Sequence, residues 1–274
     1  MRRGDGGKGV RAASRGGGLR EVTARCGLLA RGVLYVLIGM LALRVASGDP
    51  AAKEADRQGA LQELVEKPFG SVLVWAVGIG LVCMMLWRSS EAVFGAAGAD
   101  GDEPVKRLAS AGRTVFYAVV AFSVLSFAAG GGKRSGDEQS RDVTARALDL
   151  PAGQWLVGAA GLGIALAGVV IAVQAARRSF RRHLAMGGVP AWGRRAVGFL
   201  GVSGGLARGA VFAAAGGFVA YAAVRYDPEQ AKGVDDTLRS FAATAAGPWL
   251  LVAVAVGLML FGVFSWAMAR WREV

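Results

Sequence analysis

The stretch LLARGVLYVLIGMLAL, residues 28–43, decides the fold, because it is long and apolar and returns twice in related form. The related stretches are SAGRTVFYAVVAFSVL at 110–125 and GLARGAVFAAAGGFVA at 205–220. Each belongs to an apolar run of about 20 residues, the length with which a helix crosses a bilayer core about 30 Å thick. Each also carries an arginine near its start, which is unusual inside such a run. These arginines are Arg31, Arg113 and Arg208.

Six apolar runs of this kind divide the chain, and none of them contains a carboxylate. They cover about 28–47, 70–88, 112–130, 153–176, 204–224 and 247–269. Continuous runs favour helices over barrel strands, because polar and apolar residues alternate along a barrel strand. With 54% hydrophobic and only 19% charged residues, the chain is predicted to be an all-α membrane protein with six transmembrane helices.

The distribution of charge predicts the orientation of the chain. The N-terminal segment, the loops that follow the second and fourth runs, and the C-terminal tail carry 19 Lys and Arg with 7 acids. The three remaining loops carry 10 Lys and Arg with 13 acids. We expect the protein to lie in the inner membrane, and the positive-inside rule places both of its termini in the cytoplasm. The net charge of +12 is then explained by attraction to anionic lipid headgroups at the cytoplasmic face, and no nucleic-acid partner is expected.

The chain contains three copies of one unit. Shifting the sequence by 177 residues superimposes the third copy on the first, and shifts of 82 and 83 residues superimpose the second. Aligned positions include Arg31, Arg113 and Arg208 in the first helices, and Gly80, Gly163 and Gly257 in the second helices. Units 23–95, 105–180 and 196–271 follow a Gly- and Arg-rich segment, 1–22, that is predicted to be disordered.

Two spans per unit insert all three units in the same sense, so an axis along the membrane normal relates them. A compact six-helix arrangement with pseudo-threefold symmetry is the simplest solution, and a linear or irregular bundle is the alternative. Between the two spans of each unit, the stretches 58–70, 142–153 and 234–247 predict short amphipathic helices on the outer face. Asp142 and Asp235 are the predicted N-caps of the second and third of these helices.

The repeated LARG-hydrophobic-Y opening, the GAL-x-x-L stretch and the P-F-G or P-A-G turn resemble the domain-of-unknown-function 1206 family. The resemblance covers about residues 20–270. It implies a multi-pass bacterial membrane protein built from three two-helix repeats. No activity comes with it, since none is assigned to that family.

The arginines belong to a stripe that each first helix repeats at a spacing of four residues, which places its members on one face. The three stripes are Arg31, Tyr35 and Gly39; Arg113, Tyr117 and Ala121; and Arg208, Phe212 and Gly216. Three interpretations stay open: a structural role, by snorkelling or contact with a neighbouring helix; an anion or lipid-headgroup site; and a transport pathway. Glu91, near the end of the second helix, is a partner for either Arg31 or Arg88.

Enzyme chemistry lacks its usual parts in this sequence. The single histidine, His183, lies in an Arg-rich loop, and no membrane run holds a carboxylate pair or a lysine. No catalytic, cofactor or metal site is therefore expected. The predicted function is a non-enzymatic structural, lipid-interacting or partner-binding role, with self-association or another membrane protein as partner. The alternative is a small-solute or anion transporter with its path on the repeat axis.

Overall fold

The computed structural model of the chain describes residues 6–49, 52–95, 104–131, 135–180, 190–244 and 247–271. These residues form six long and three short α-helices. The long helices are α1 (Gly6–Ala46), α3 (Gly70–Phe94), α4 (Pro104–Ala128), α6 (Gly153–Ala176), α7 (Ala191–Arg225) and α9 (Gly247–Trp271). The short helices are α2 (Arg57–Val65), α5 (Gly136–Leu148) and α8 (Val234–Ala242).

All six long helices are long and apolar enough to cross a membrane, and each contains one of the predicted runs. The prediction of an all-helical, multi-pass architecture is confirmed at this level. The first helix differs from expectation, because α1 begins at Gly6 and covers most of the segment 1–22 that composition predicts to be disordered. A helix that already exists extends at one hydrogen bond per residue and needs no new nucleus, which explains the extension.

The short helices lie where the sequence predicts them, and α2 and α8 begin within one residue of the expected start. Helix α5 begins six residues earlier than expected, with Ser135 as its N-cap and Glu138 closing a capping box. Asp142 therefore lies inside α5 and is not its cap. Gly233 is the N-cap of α8, so that Asp235 lies in the first turn. Both N-cap predictions were wrong because each considered only the acid nearest the apolar pattern, and these acids bond elsewhere.

The long helices pack as an open ring. In order around it they are α4, α3, α1, α9, α7 and α6. Each first helix packs on the second helix of the preceding repeat: α4 on α3, α7 on α6, and α1 on α9. Glycines allow close approach in these pairs, since a Cβ on Gly209 would meet Gly168 and one on Gly32 would meet Gly262 at less than 3 Å. The order matches the pseudo-threefold arrangement, with one gap.

That gap, which we call the seam, separates α4 from α6. In the first repeat a Cβ on Gly80 would lie 2.5 Å from Ala30, and in the third a Cβ on Gly257 would lie 2.3 Å from Ala207. The aligned residues of the second repeat are Gly163 and Gly112, and a Cβ on either would meet nothing within 4 Å among the described residues. The helix pair that is closed in the first and third repeats is thus open in the second.

Candidate functional site

Four arginines lie within electrostatic range of one another, and we call them the arginine layer. They are Arg31 on α1, Arg88 on α3, Arg113 on α4 and Arg208 on α7. Arg31 and Arg113 lie 15 residues before the ends of their helices at Ala46 and Ala128, about 23 Å along the helix axis. The layer therefore lies well away from the end of the bundle at which α2, α5 and α8 lie, which we call the loop end.

Arg31 is held in the interface between α1 and α9, where it is only 6% exposed. Its Nε donates a hydrogen bond of 3.1 Å to the Ser265 hydroxyl, and its Nη2 lies 3.9 Å from the Met268 sulfur. The guanidinium lies 5.0 Å from the centre of the Phe261 ring and also interacts with the Tyr117 hydroxyl. These neighbours carry no negative charge.

Arg208 is surrounded mainly by aromatic rings. Its guanidinium carbon lies 5.7 Å from the ring centre of Tyr35, 5.2 Å from that of Phe212 and 5.0 Å from that of Phe261. Cation–π contacts of this kind stabilise a desolvated guanidinium. Its buried Nε has no hydrogen-bond partner among the described residues. The Tyr35 hydroxyl interacts with the same guanidinium, so the Nε is the donor that remains for an acceptor supplied from outside.

The second helix of the first repeat supplies a carboxylate to this layer. Arg88 Nη1 lies 2.5 Å from Glu91 Oε2, and both residues are 8% exposed. Of the two partners that the sequence allows for Glu91, the structure thus shows Arg88. The packing order explains why Arg31 has other neighbours: it meets the preceding repeat, where Ser265 and Met268 occupy the positions aligned with Arg88 and Glu91.

Arg113 occupies the corresponding place against α3, within electrostatic range of Arg88, Glu91 and Arg208. Its side chain remains exposed. Four guanidinium groups therefore meet one carboxylate among the described residues, an excess of three positive charges. Guanidinium groups bind carboxylates and phosphates through paired, charge-assisted hydrogen bonds. The arrangement is chemically suited to binding an anion.

The aromatic members of the three stripes line the same region. Tyr35 packs edge-on against Phe261, with ring centres 4.8 Å apart. Tyr117 is 6% exposed, and Phe212 lies 6.3 Å from Phe116 across the axis. The structure therefore brings together all seven residues that the sequence singles out. These are Arg31, Arg113, Arg208, Tyr35, Tyr117, Phe212 and Glu91.

At the loop end, a second charged group joins the three short helices in a cycle. Asp56 accepts a hydrogen bond of 2.8 Å from the backbone N–H of Gly136 at the start of α5. Asp137 accepts from the N–H of Asp236 in the first turn of α8, at 3.3 Å. Asp235 accepts from the N–H of Ala55 just before α2, at 2.7 Å. In each repeat, an aspartate thus accepts a hydrogen bond from a backbone N–H at or just before the start of the next repeat's short helix. Unpaired N–H groups at the start of a helix favour a negative charge there.

We call these acids the carboxylate layer, which lies outside the spans and consists of Glu54, Asp56, Asp137, Asp235 and Asp236. Burial and mutual repulsion raise the pKa of two of its members. Burial, followed by the charge of Asp56, raises the pKa of Glu54 to about 7. Burial, followed by the charge of Asp236, raises the pKa of Asp137 to about 6. Part of the layer therefore takes up protons near neutral pH.

Sequence reasoning missed this layer. Carboxylate oxygens of Asp137, Asp235 and Asp236 lie within 4.8 Å of one another, close enough to share a cation, although protein donors already contact them. Arg239 bonds Asp235 at 2.6 Å, and Arg141 bonds Asp236. The available signal was an acid near the start of each loop helix, but its meaning depends on partners in the neighbouring repeat.

Comparison with known proteins agrees with the repeat pattern. A family model described as Domain of Unknown Function (DUF1206) matches residues 26–95, 108–178 and 203–272. The uncharacterized protein YxxB of Bacillus subtilis (strain 168) is 30% identical over 243 residues, which cover 88% of this chain and 87% of that protein. No solved structure matches the chain. The chain therefore belongs to the DUF1206 family, whose unit it contains three times.

Proposed function

We propose that this protein is a non-enzymatic, anion-binding protein of the inner membrane, with the arginine layer as its site. The observation that carries the proposal is the excess of three positive charges in the arginine layer, of which Arg31 and Arg88 are buried, together with the unpaired Nε of Arg208. Desolvated charges in a membrane-spanning bundle are costly unless they pair. A phosphate or carboxylate group that bridges Arg113 and Arg208 supplies the missing negative charge.

The packing between the two charged layers supports binding over conduction. The side chains there are apolar and closely packed, and Leu41, Val124 and Leu258 are at most 2% exposed. Two open hollows among the described residues lie beside Trp266 and beside Phe218, and no arginine of the layer lines either of them. A static anion site fits this packing better than the transport path that the sequence also allowed.

Orientation and location are part of the proposal. With both termini in the cytoplasm, the arginine layer lies on the cytoplasmic side of the membrane, and the carboxylate layer lies outside. The excess of Lys and Arg in the termini and in the loops on their side supports this sense. The anion then comes from the cytoplasm or from the inner leaflet.

Titration of delipidated protein in neutral detergent with inorganic phosphate tests the proposal. A ligand that binds only the folded state raises its unfolding temperature with a saturable dependence on concentration. Arg208→Gln removes a charged donor, so we expect about a tenfold weaker apparent affinity for phosphate. Arg225→Gln, on the same helix but exposed at the loop end, is the matched control and is expected to bind like wild type.

Arg113→Gln provides a second variant, because its exposed side chain can be removed with little effect on packing. Equal phosphate affinity in wild type and in the Arg113 and Arg208 variants would overturn the proposal. Phosphate flux through vesicles containing the wild-type protein, abolished by Arg208→Gln, would instead establish the transport alternative.

A further inference from the structure

We infer that the seam between α4 and α6 binds one phospholipid with an anionic headgroup, whose phosphate is the anion of the arginine layer. This inference rests on the proposed function and names the source of the anion. The headgroup lies at Arg113 and Arg208, and an acyl chain lies between α4 and α6.

The walls of the seam are faces that the other two repeats bury. Leu81 and Leu258, on α3 and α9, are 1% and 2% exposed, whereas the aligned Ile164 on α6 is 40% exposed. Leu34 and its counterpart Val211 are 6% and 3% exposed, whereas the aligned Phe116 on α4 is 44% exposed. The second repeat therefore presents, on both sides of the seam, apolar surface that elsewhere packs against a helix.

The seam opens at the height of the arginine layer. Gly112 directly precedes Arg113, and a Cβ on Gly112 would meet nothing within 4 Å among the described residues. In the other two repeats the residue before the arginine is an alanine, Ala30 or Ala207. In the closed pairs, these alanines lie against Gly80 and Gly257. A group that enters between Gly112 and Gly163 thus arrives beside the exposed Arg113 and next to Arg208.

Charge and dimensions both favour a lipid as the occupant. The excess of positive charge in the layer complements an anionic headgroup, and the apolar walls complement an acyl chain. The layer lies about 23 Å from the loop end of α4, so a chain that starts there can extend through one leaflet, about 15 Å, and remain between the helices. A small anion from the cytoplasm would fill the layer and leave the apolar walls of the seam unoccupied.

The test counts the lipids that the protein retains. Purified protein is equilibrated with mixed phosphatidylglycerol and phosphatidylcholine, and native mass spectrometry then measures the lipid bound to each chain. We expect wild type to retain one phosphatidylglycerol in preference to phosphatidylcholine. Gly163→Trp fills the seam and Arg113→Gln removes a headgroup contact, and each is expected to lower phosphatidylglycerol retention about tenfold. Leu162→Trp, on the outer surface of α6 where Leu162 is 57% exposed, is the control and is expected to retain the lipid.

Gly112→Leu is a second seam variant on the opposite wall, and its side chain also meets open space. If the Arg113 variant loses both phosphate and phosphatidylglycerol while both seam variants keep the lipid, the seam inference is wrong and the anion site stands. If wild type binds phosphate through Arg113 but retains no phosphatidylglycerol, the anion is a free one and the inference is again overturned. If Arg113→Gln changes neither ligand, the proposed function itself fails.

Discussion

One arginine position occurs in three different surroundings in this molecule. The sequence predicts that each of Arg31, Arg113 and Arg208 shares a helical face with an aromatic residue of its own helix, because the two lie four residues apart. It could not identify their neighbours, since those depend on which helix packs next. Arg31 donates a hydrogen bond to a serine, and Arg113 lies within electrostatic range of the Arg88–Glu91 ion pair. Arg208 makes cation–π contacts with aromatic rings. Packing between repeats therefore makes equivalent residues chemically different.

The three aligned glycines of the second helices give the first prediction. Gly80→Val and Gly257→Val place atoms where Ala30 and Ala207 already lie, so we expect each to lower the free energy of unfolding by about 1–3 kcal/mol. Gly163→Val meets open space and is expected to have little effect. Thermal unfolding of the three variants in the same detergent measures the difference. An equal loss at Gly163 would show that α4 and α6 are in contact.

At the scale of elements, the six long helices could be predicted because length and composition alone specify a membrane-spanning helix. The short loop helices were predicted in place but not in detail. Asp142 and Asp235 were the predicted N-caps, whereas the N-caps in the structure are Ser135 and Gly233. Asp235 instead bonds the backbone N–H of Ala55 in another repeat, a contact that local sequence patterns cannot specify.

Asp56 provides the second prediction, because its two carboxylate oxygens accept from Gly59 and Gly136 and so join α2 to α5. Asp56→Ala leaves two N–H groups without their acceptor, and we expect a loss of about 1–3 kcal/mol in unfolding free energy. Asp149→Ala, at an exposed position just after α5, is the control. Denaturant unfolding followed by circular dichroism distinguishes the two, and similar losses in both variants would show that the cycle of aspartates adds nothing to stability.

The carboxylate layer predicts the pH dependence of stability. Glu54 and Asp137 have folded-state pKa values of about 7 and about 6, above the ordinary values to which unfolding returns them. The folded state therefore binds protons more tightly than the unfolded state does, and protonation of these two carboxyl groups stabilises the fold. The stabilisation is complete below about pH 4 and is lost as the pH rises through 6 and 7. We expect the unfolding temperature to fall between pH 5 and pH 8.

Removal of the ionisable groups checks that assignment. Glu54→Gln and Asp137→Asn cannot lose a proton, so each variant is expected to show a weaker dependence of unfolding temperature on pH. Asp149→Asn is the matched control and should keep the wild-type dependence. A wild-type unfolding temperature that stays constant over this range, or variants that keep its full slope, would contradict the pKa values of the layer.

At the scale of the whole molecule, the three repeats predict a compact pseudo-threefold arrangement, and the helices pack in a cyclic order that is interrupted at the seam. The exception could not be predicted, because Gly163 keeps the small residue that permits close approach in the other repeats. The second repeat also departs from the pattern at Gly112 and Thr114, which replace the residue types at Ala30 and Gly32. Sequence repetition thus predicted three related units but not how they pack against one another.

The orientation gives a prediction at this scale. With both termini in the cytoplasm, a green fluorescent protein fused to the C-terminus is expected to fluoresce in intact cells, and alkaline phosphatase fused there is expected to be inactive. Alkaline phosphatase fused after Ser47, which follows α1, is expected to be active. The opposite pattern would place the arginine layer on the outer side of the membrane.

The most direct test of the central claim, that the arginine layer binds an anion, is an anomalous difference map from crystals of delipidated protein soaked with selenate. We expect a peak beside the guanidinium groups of Arg113 and Arg208, and its loss in crystals of Arg208→Gln. Peaks confined to exposed arginines at the loop end, such as Arg44 and Arg225, with none at the layer, would contradict the account.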